Sequence, residues 1–278
     1  MAASMKLMMI LNDPDVAKLA ASSGVDRIFV DLEINGKFAR QGHKDTLISK
    51  HSFDDVERVR KAVPGASLLV RLNPWYEGSR AEIDRAISLG VDILMLPMFK
   101  RIDEVEAFCD HVAGRAQVIP LLETAEAAEI VDAVAALPGV TEVYIGLNDL
   151  HLSMHKSFMF ELLVDGTVEH LAKSILAQGK PFGFGGIARI GEGLLPAEKI
   201  LAEHIRLGSS SVILSRTFHR PYDDKLAGDS PMNLKLEIDK VRSAALRYGT
   251  SDAAVLAENR NELKRIVGEI TKAAEHAG

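Results

Sequence analysis

The sequence predicts a single (β/α)8 barrel, a TIM barrel, followed by one additional C-terminal helix. Eight short apolar runs alternate with longer amphipathic segments, and 278 residues is the size such a barrel needs. An open doubly wound sheet would carry a Gly-rich turn after its first strand. Asn12, Asp13 and Pro14 stand there instead, which favours the barrel.

The eight predicted strands are continuous apolar runs, several of them rich in β-branched side chains. This is typical of strands buried on both faces of a parallel sheet. They cover residues 6–12, 27–33, 68–74, 93–98, 118–123, 143–149, 182–187 and 211–218.

Segments with helical periodicity lie between these strands. Residues 81–89, 102–112 and 196–207 each stop one or two positions before a glycine, the usual residue just past a helix end. Ser52, with Asp55 three residues later, predicts a capping pair at the start of the helix after the second strand.

No linker, low-complexity tract or block of like charge interrupts the chain, so residues 1–250 are expected to form one barrel domain. Residues 251–278 are expected to form a C-terminal helical extension. Its apolar residues Leu263, Ile266 and Val267 follow helical spacing. This extension packs either on its own barrel or on a neighbouring subunit.

Composition excludes several classes of protein. The net charge of −6 argues against a nucleic-acid or anionic-membrane surface. The single cysteine, Cys109, excludes an internal disulfide and a Cys-rich metal cluster, and indicates a reducing compartment. The early apolar run at 7–11 is too short for a membrane span or a signal segment, so we expect a cytoplasmic protein.

Polar residues that end apolar runs are the candidates for chemistry, because active sites of such barrels lie at the carboxyl ends of the strands. Four strand ends are spaced in equal steps of 26 residues: Arg71, Pro97, Glu123 and Asp149. Equal steps indicate equal βα units and a shared rim. Asp31 and Glu33 end the second strand at the same level.

Charges at such a rim must be paired or must hold a cation, because isolated buried charges are costly. Glu123 and Asp149, on neighbouring strands, can chelate a hard divalent ion. Arg71 can bind a substrate carboxylate or stabilise an oxyanion. A purely structural ion-pair network is the alternative for all three.

Five stretches, in this order, carry a family resemblance: Val30-Asp31-Leu32-Glu33, Val70-Arg71-Leu72-Asn73-Pro74, Met95-Leu96-Pro97-Met98, Leu121-Leu122-Glu123-Thr124 and Tyr144-Ile145-Gly146-Leu147-Asn148-Asp149-Leu150. With them the chain resembles the HpcH/HpaI aldolase and citrate lyase β-subunit family of pyruvate/phosphoenolpyruvate-type TIM barrels. The resemblance covers most of residues 5–220.

The resemblance implies roles for the rim residues. Glu123 and Asp149 are expected to be ligands of Mg²⁺, with Mn²⁺ or Co²⁺ as alternative ions. Arg71 is expected to contact a keto acid and its enolate, and Glu33 to orient metal-bound water.

A substrate-binding surface is expected beside these residues. By resemblance, the backbone of Gly146, Leu147 and Asn148 receives the substrate carboxylate. Trp75, the only tryptophan, is expected to line the pocket of the second substrate or to cover the end of the barrel.

The sequence departs from the aldolase branch of the family after Asp31-Leu32-Glu33. A histidine that serves in acid/base chemistry follows there in the family, whereas Ile34 follows here. The polar segment 35–51 contains His43 and His51. His43 is the first candidate for a relocated base, and a solvated loop histidine is the alternative.

These expectations combine into a divalent-metal-dependent carbon–carbon lyase, a class II pyruvate-type aldolase. Its partners are a 2-keto acid and an aldehyde or thioester, and by resemblance it forms a homo-oligomer between dimer and hexamer. A citrate-lyase-like acyl-CoA lyase or thioesterase is the alternative within the enzymes. A catalytically silent, metabolite-binding barrel is the alternative from another class.

Overall fold

The structure is a computed structural model that describes residues 5–34, 51–219 and 233–277. Eight parallel strands close into one barrel in sequence order, with β8 hydrogen-bonded to β1. The strands are β1 (Lys6–Ile10), β2 (Arg27–Asp31), β3 (Ser67–Arg71), β4 (Ile93–Leu96), β5 (Gln117–Leu122), β6 (Val143–Ile145), β7 (Phe182–Ile187) and β8 (Ser211–Leu214). This architecture confirms the (β/α)8 fold that the sequence predicts.

Helices surround the barrel and connect its strands. They are α1 (Pro14–Ser22), α2 (Phe53–Ala62), α3 (Ser79–Ser88), α4 (Ile102–Val112), α5 (Ala125–Glu129), α6 (Val131–Ala136), α7 (Leu147–Ser153), α8 (Glu161–Val164), α9 (Thr167–Ala177), α10 (Ala197–Leu207), α11 (Leu234–Gly249) and α12 (Ala253–Ala277). The predicted capping pair of α2 is present, since the Ser52 N–H donates to the Asp55 carboxylate at 2.7 Å and Ser52 Oγ accepts from the Asp55 N–H. Among the described helices, none combines the length and the apolar character that a membrane span requires.

The predicted sixth strand, 143–149, is wrong at its carboxyl end, because β6 stops at Ile145. The Gly146 N–H still donates to the Leu122 carbonyl at 2.9 Å, as in a sheet. The Gly146 carbonyl then accepts from the Leu150 N–H at 3.1 Å, which is a helical bond. Asp149 therefore lies in the first turn of a short helix rather than on a strand.

The interior of the barrel is filled by side chains that point inward from its strands. They form a cluster separate from the apolar layer between barrel and helices: Met8, Phe29, Leu69, Ile93, Met95, Ile119, Leu121 and Tyr144. The Tyr144 hydroxyl accepts from the Ile213 N–H at 2.9 Å and donates to the Gly185 carbonyl at 2.7 Å. The barrel is therefore a packed core with its one tyrosyl hydroxyl satisfied.

Gly183 in β7 makes room for this packing. A Cβ atom there would lie 2.2 Å from Ser211 Oγ and 2.5 Å from the Tyr144 ring. A larger residue at this position would have to displace the interior side chains.

A buried ion pair closes the amino-terminal end of the barrel. Arg27 Nη1 and Nη2 donate to the Glu142 carboxylate at 3.0 and 2.7 Å, and Ser211 Oγ donates to the same carboxylate at 2.6 Å. Both charged side chains are at most 4% exposed. Because this end lies opposite the catalytic face of such barrels, we assign the pair to stability.

The C-terminal helix α12 packs on its own barrel. Leu263 and Val267 are buried against the rest of the chain, and α12 contacts α10 and α8. Asn259 Nδ2 donates to the Lys199 carbonyl at 3.1 Å, and the Lys199 ammonium pairs with Glu262. A contact between residues 251–278 and a neighbouring subunit stays a prediction.

Candidate active site

The rim charges continue the inward-facing rows of the barrel strands. Side chains two residues apart on a strand point to the same side. Phe29 and Leu69 fill the barrel interior, so Asp31 and Arg71 lie above them at the carboxyl ends of β2 and β3. Glu123 follows the last residue of β5 in the same way, two positions beyond an inward-facing leucine.

Arg71 and Asp31 form a two-pronged ion pair at this rim. Arg71 Nε and Nη2 donate to the two Asp31 carboxylate oxygens, both at 2.8 Å. Arg71 Nη1 lies 3.3 Å from Glu33 Oε2. The Asp31 and Glu33 side chains are 2% and 1% exposed, and that of Arg71 is 14% exposed. Parallel bonds of this kind fix the plane of the guanidinium as well as its position.

The charge on Arg71 is stabilised by its surroundings. Burial by itself lowers the pKa of the guanidinium, but the negative charges of Asp31, Glu33 and Glu123 and the hydrogen bonds to Asp31 raise the pKa above its usual value. Its Cζ lies 5.9 Å from the centroid of the Phe29 ring beneath it. The rim therefore holds a permanent, immobile positive charge.

Glu123 is fixed between backbone segments of the two neighbouring strands. Its side chain is 3% exposed, and its Oε1 accepts from the Met98 N–H at 3.1 Å. Met98 has a φ of 54°, a left-handed conformation that is uncommon for a residue other than glycine. On the other side, a Cβ at Gly146 would lie 2.9 Å from Glu123 Oε2. A side chain at position 146 would therefore press against this carboxylate oxygen, and glycine avoids that clash.

Asp149 approaches the rim from the first turn of α7. It is 9% exposed, and its Oδ1 lies 3.5 Å from the amide nitrogen of exposed Asn148. Leu147, by contrast, is buried against β7, where a Cβ at Gly185 would lie 2.8 Å from its Cδ1. The Leu147 side chain is therefore not available to a ligand, and a contact through its backbone stays a prediction.

The donor set fits a hard divalent cation held mainly by solvent and substrate. Glu123 and Asp149 follow adjacent strands, β5 and β6. Within residues 5–34, 51–219 and 233–277, no group of three or more histidine, cysteine, aspartate or glutamate side chains is arranged to hold a metal ion. Two carboxylates with the remaining positions left to water and substrate oxygens is the usual arrangement for Mg²⁺.

Trp75 lies away from the rim charges. Trp75 packs edge to face against Phe108 of α4, with ring centroids 6.4 Å apart, which places it beside the helical layer. A contact between Trp75 and substrate stays a prediction. His43 lies outside the described residues.

Sequence reasoning missed two polar contacts that hold the carboxyl end of β2. The Asp31 N–H donates to His51 Nδ1 at 3.1 Å, and the Ile34 N–H donates to Asn73 Oδ1 at 2.9 Å. In the sequence, His51 stands out only as part of a polar segment, and Asn73 only as part of a motif. Neither contact follows a periodic pattern that could have revealed it.

Comparisons with known proteins agree with this fold. The 4-hydroxy-2-oxovalerate aldolase of Novosphingobium aromaticivorans is 28% identical over 203 residues, which cover 62% of this chain and 72% of that enzyme. A solved HpcH/HpaI aldolase from Desulfitobacterium hafniense shares the fold with a TM-score of 0.59 at 18% identity, covering 77% of this chain and 86% of the other.

A solved HpcH/HpaI aldolase/citrate lyase family protein from Burkholderia cenocepacia gives a TM-score of 0.62 at 16% identity, covering 78% of this chain and 91% of the other. The model of the same family matches residues 5–190, a stretch that includes Arg71, Glu123 and Asp149. The chain belongs to the HpcH/HpaI aldolase/citrate lyase family.

Proposed function

We propose that this protein is a divalent-metal-dependent carbon–carbon lyase that acts on a 2-keto acid through an enolate. The family and the aldolase relative support a lyase. One observation carries the finer proposal: Asp31 and Glu33 hold Arg71 at the end of β3, on the same rim as Glu123, which directly follows β5. A fixed cation beside a potential metal ligand suits a substrate that develops enolate charge.

Glu123 and Asp149 are the residues that would hold the metal ion. When bound, a divalent ion polarises the keto oxygen and offsets the developing negative charge. Mg²⁺ fits the two carboxylates best, and Mn²⁺ or Co²⁺ are alternatives. Glycine at position 146 brings no side chain against Glu123 Oε2, which supports this assignment.

Arg71 would bind the keto acid directly. A guanidinium has five N–H groups. Among the described residues, Asp31 accepts from two of them and Glu33 faces a third, which leaves two for substrate oxygens. Because Asp31 and Glu33 hold the group in place before substrate arrives, little reorganisation is needed when the enolate charge develops.

A 4-hydroxy-2-oxo acid is the substrate class we favour, from the name of the aldolase relative. In cleavage, the substrate hydroxyl loses its proton, the carbon–carbon bond breaks, and an aldehyde leaves. The electron pair of that bond forms an enolate beside Arg71. Protonation of this enolate gives the 2-keto acid. The backbone of Gly146, Leu147 and Asn148 would receive the carboxylate.

The acid/base group stays unassigned. Ile34 occupies the position where the aldolase branch has a histidine, and an aliphatic side chain moves no proton. His43 is proposed for this role from the sequence alone.

Solvent deuterium exchange into the methyl group of pyruvate tests the proposal. We expect exchange, followed by NMR, only when Mg²⁺, Mn²⁺ or Co²⁺ is present. Glu123→Gln should abolish it, whereas Glu129→Gln, an exposed glutamate on the adjacent helix, should exchange like wild type. Absence of metal-dependent exchange, or wild-type exchange by Glu123→Gln, contradicts a pyruvate-type lyase.

An acyl-CoA lyase or thioesterase is the second candidate, because Ile34 stands in place of the aldolase histidine. Saturation-transfer NMR separates the two candidate functions. Saturation transfer from the protein to acetyl-CoA, without deuterium exchange into pyruvate, favours the acyl-CoA enzyme. Absence of both pyruvate exchange and transfer to acetyl-CoA favours the third alternative, a barrel that binds a metabolite without catalysis.

A further inference from the structure

The peptide that follows Glu33 is held by a side chain just past the end of β3 rather than by the sheet. Regular pairing of the chain with β3 continues to the Leu32 N–H, which donates to the Arg71 carbonyl at 2.9 Å. The Ile34 N–H instead donates to Asn73 Oδ1 at 2.9 Å. Ile34 is 53% exposed, so its side chain contributes little packing to fix this position.

Glu82 determines which way the Asn73 amide faces. Asn73 Nδ2 donates to Glu82 Oε1 at 2.7 Å, and this bond turns the amide oxygen of Asn73 towards Ile34. The Tyr76 hydroxyl donates to the same Glu82 oxygen at 2.8 Å. Two donors therefore converge on one Glu82 oxygen, which accepts both bonds.

The orientation of Asn73 matters for the rim because Glu33 precedes Ile34. The Glu33 carboxylate is 1% exposed and lies 3.3 Å from Arg71 Nη1. A peptide free to move after Glu33 lets this carboxylate shift against the guanidinium. Misplacement of a positioned group by about 1 Å is enough to lower a reaction rate by about 10²-fold.

We propose that Glu82 is a positioning residue of the active site, which acts through Asn73 to hold the peptide after Glu33 and thereby the contact between Glu33 and Arg71. Glu82 lies on α3 and touches neither Glu33 nor Arg71 directly. Its effect on catalysis rests on the proposed function, whereas its effect on the Ile34 peptide does not.

Amide hydrogen exchange, measured by NMR on the full chain, tests the structural half. Glu82→Ala is expected to speed exchange at the Ile34 N–H about tenfold, the effect of losing roughly one net hydrogen bond. Exchange at the Leu32 N–H, which bonds to backbone, should change less than about twofold. Glu82→Gln, which keeps an acceptor oxygen, should restore most of the protection at Ile34.

Glu77→Ala is the matched control, because Glu77 is an exposed glutamate close to Glu82 in sequence and its loss changes the charge equally. It should leave Ile34 exchange at the wild-type rate. Unchanged Ile34 exchange in Glu82→Ala overturns the proposal. Equal acceleration at Ile34 and Leu32 also overturns it, since Glu82 would then act on general stability.

A double-mutant cycle tests the catalytic half once wild-type lyase activity is measured. Glu82→Ala should lower kcat about tenfold in the wild-type background and less than about twofold in Glu33→Gln, because residues that act through one contact are not additive. Equal losses in both backgrounds overturn the link to Glu33. If wild type shows no lyase activity, the proposed function fails, and the exchange experiment still decides the role of Glu82.

Discussion

Replacing Arg71 with lysine is the most informative single change at the rim. Arginine spans Asp31 with two parallel bonds of 2.8 Å and reaches Glu33 with a third nitrogen. A lysine carries the same charge on a single nitrogen and cannot keep all three contacts. The variant therefore separates the geometry of the guanidinium from its charge.

The size of the effect follows from these contacts. Each hydrogen bond between charged groups contributes about 1.5–3 kcal/mol. Arg71→Lys loses one of the two bonds to Asp31 and the contact with the 1%-exposed Glu33 carboxylate. We expect the free energy of unfolding to fall by about 2–4 kcal/mol. We expect kcat/KM to fall by about 10²–10³-fold, as when one preorganised donor to a developing oxyanion is removed.

Urea unfolding followed by circular dichroism measures the first quantity. Release of the 2-keto acid, coupled to reduction by NADH, measures the second. Arg80→Lys, the same substitution at an exposed position of α3, is the control and should match wild type. If Arg71→Lys keeps kcat/KM within about threefold of wild type and binds metal with unchanged affinity, the geometry of the guanidinium does not contribute to the reaction.

Three further changes test other parts of the structure. Glu142→Gln leaves buried Arg27 without its carboxylate and should cost about 3–5 kcal/mol of stability in urea unfolding, with unchanged kcat per folded molecule. Gly183→Ala places a Cβ 2.5 Å from the Tyr144 ring and should cost about 1–3 kcal/mol, seen as a lower Tm. Burial lowers the pKa of His204 to about 3. Below pH 6.5 the His204 imidazole is therefore protonated in the unfolded chain but stays neutral in the folded chain. Between pH 7 and pH 5 the wild type should therefore lose about 2 kcal/mol more stability than His204→Gln.

Each of these three has an outcome that contradicts it. Loss of kcat in Glu142→Gln would show that the two ends of the barrel are coupled. A Gly183→Ala variant as stable as wild type would mean that the interior side chains relax at no cost. Equal pH slopes for wild type and His204→Gln would show that this imidazole is not held neutral by burial.

Regular spacing explains how much of the site the sequence could predict. Equal βα units indicated Arg71 at the end of one strand and Glu123 just past another, and the structure places them there. The same spacing misplaced Asp149 on a strand, because the apolar run continues through Leu147 into a helix that begins just past Gly146. Hydrophobicity alone does not separate a buried strand from a short buried helix.

Contacts between particular side chains were harder to predict from the sequence. Charge at the rim indicated that Asp31 and Arg71 must be paired or hold a cation, but not which. Their bonds join residues 40 positions apart. The contacts of Asn73 with Ile34 and Glu82 depend on where three elements meet, which neither periodicity nor composition encodes.

A crystal of the protein soaked with Mn²⁺ and pyruvate tests whether Glu123, Asp149 and Arg71 form a metal and keto-acid site. We expect an anomalous peak for manganese between the carboxylates of Glu123 and Asp149, with a pyruvate oxygen within hydrogen-bond distance of an Arg71 N–H that is not used by Asp31. A manganese peak away from these carboxylates, or pyruvate bound out of reach of Arg71, would contradict that expectation.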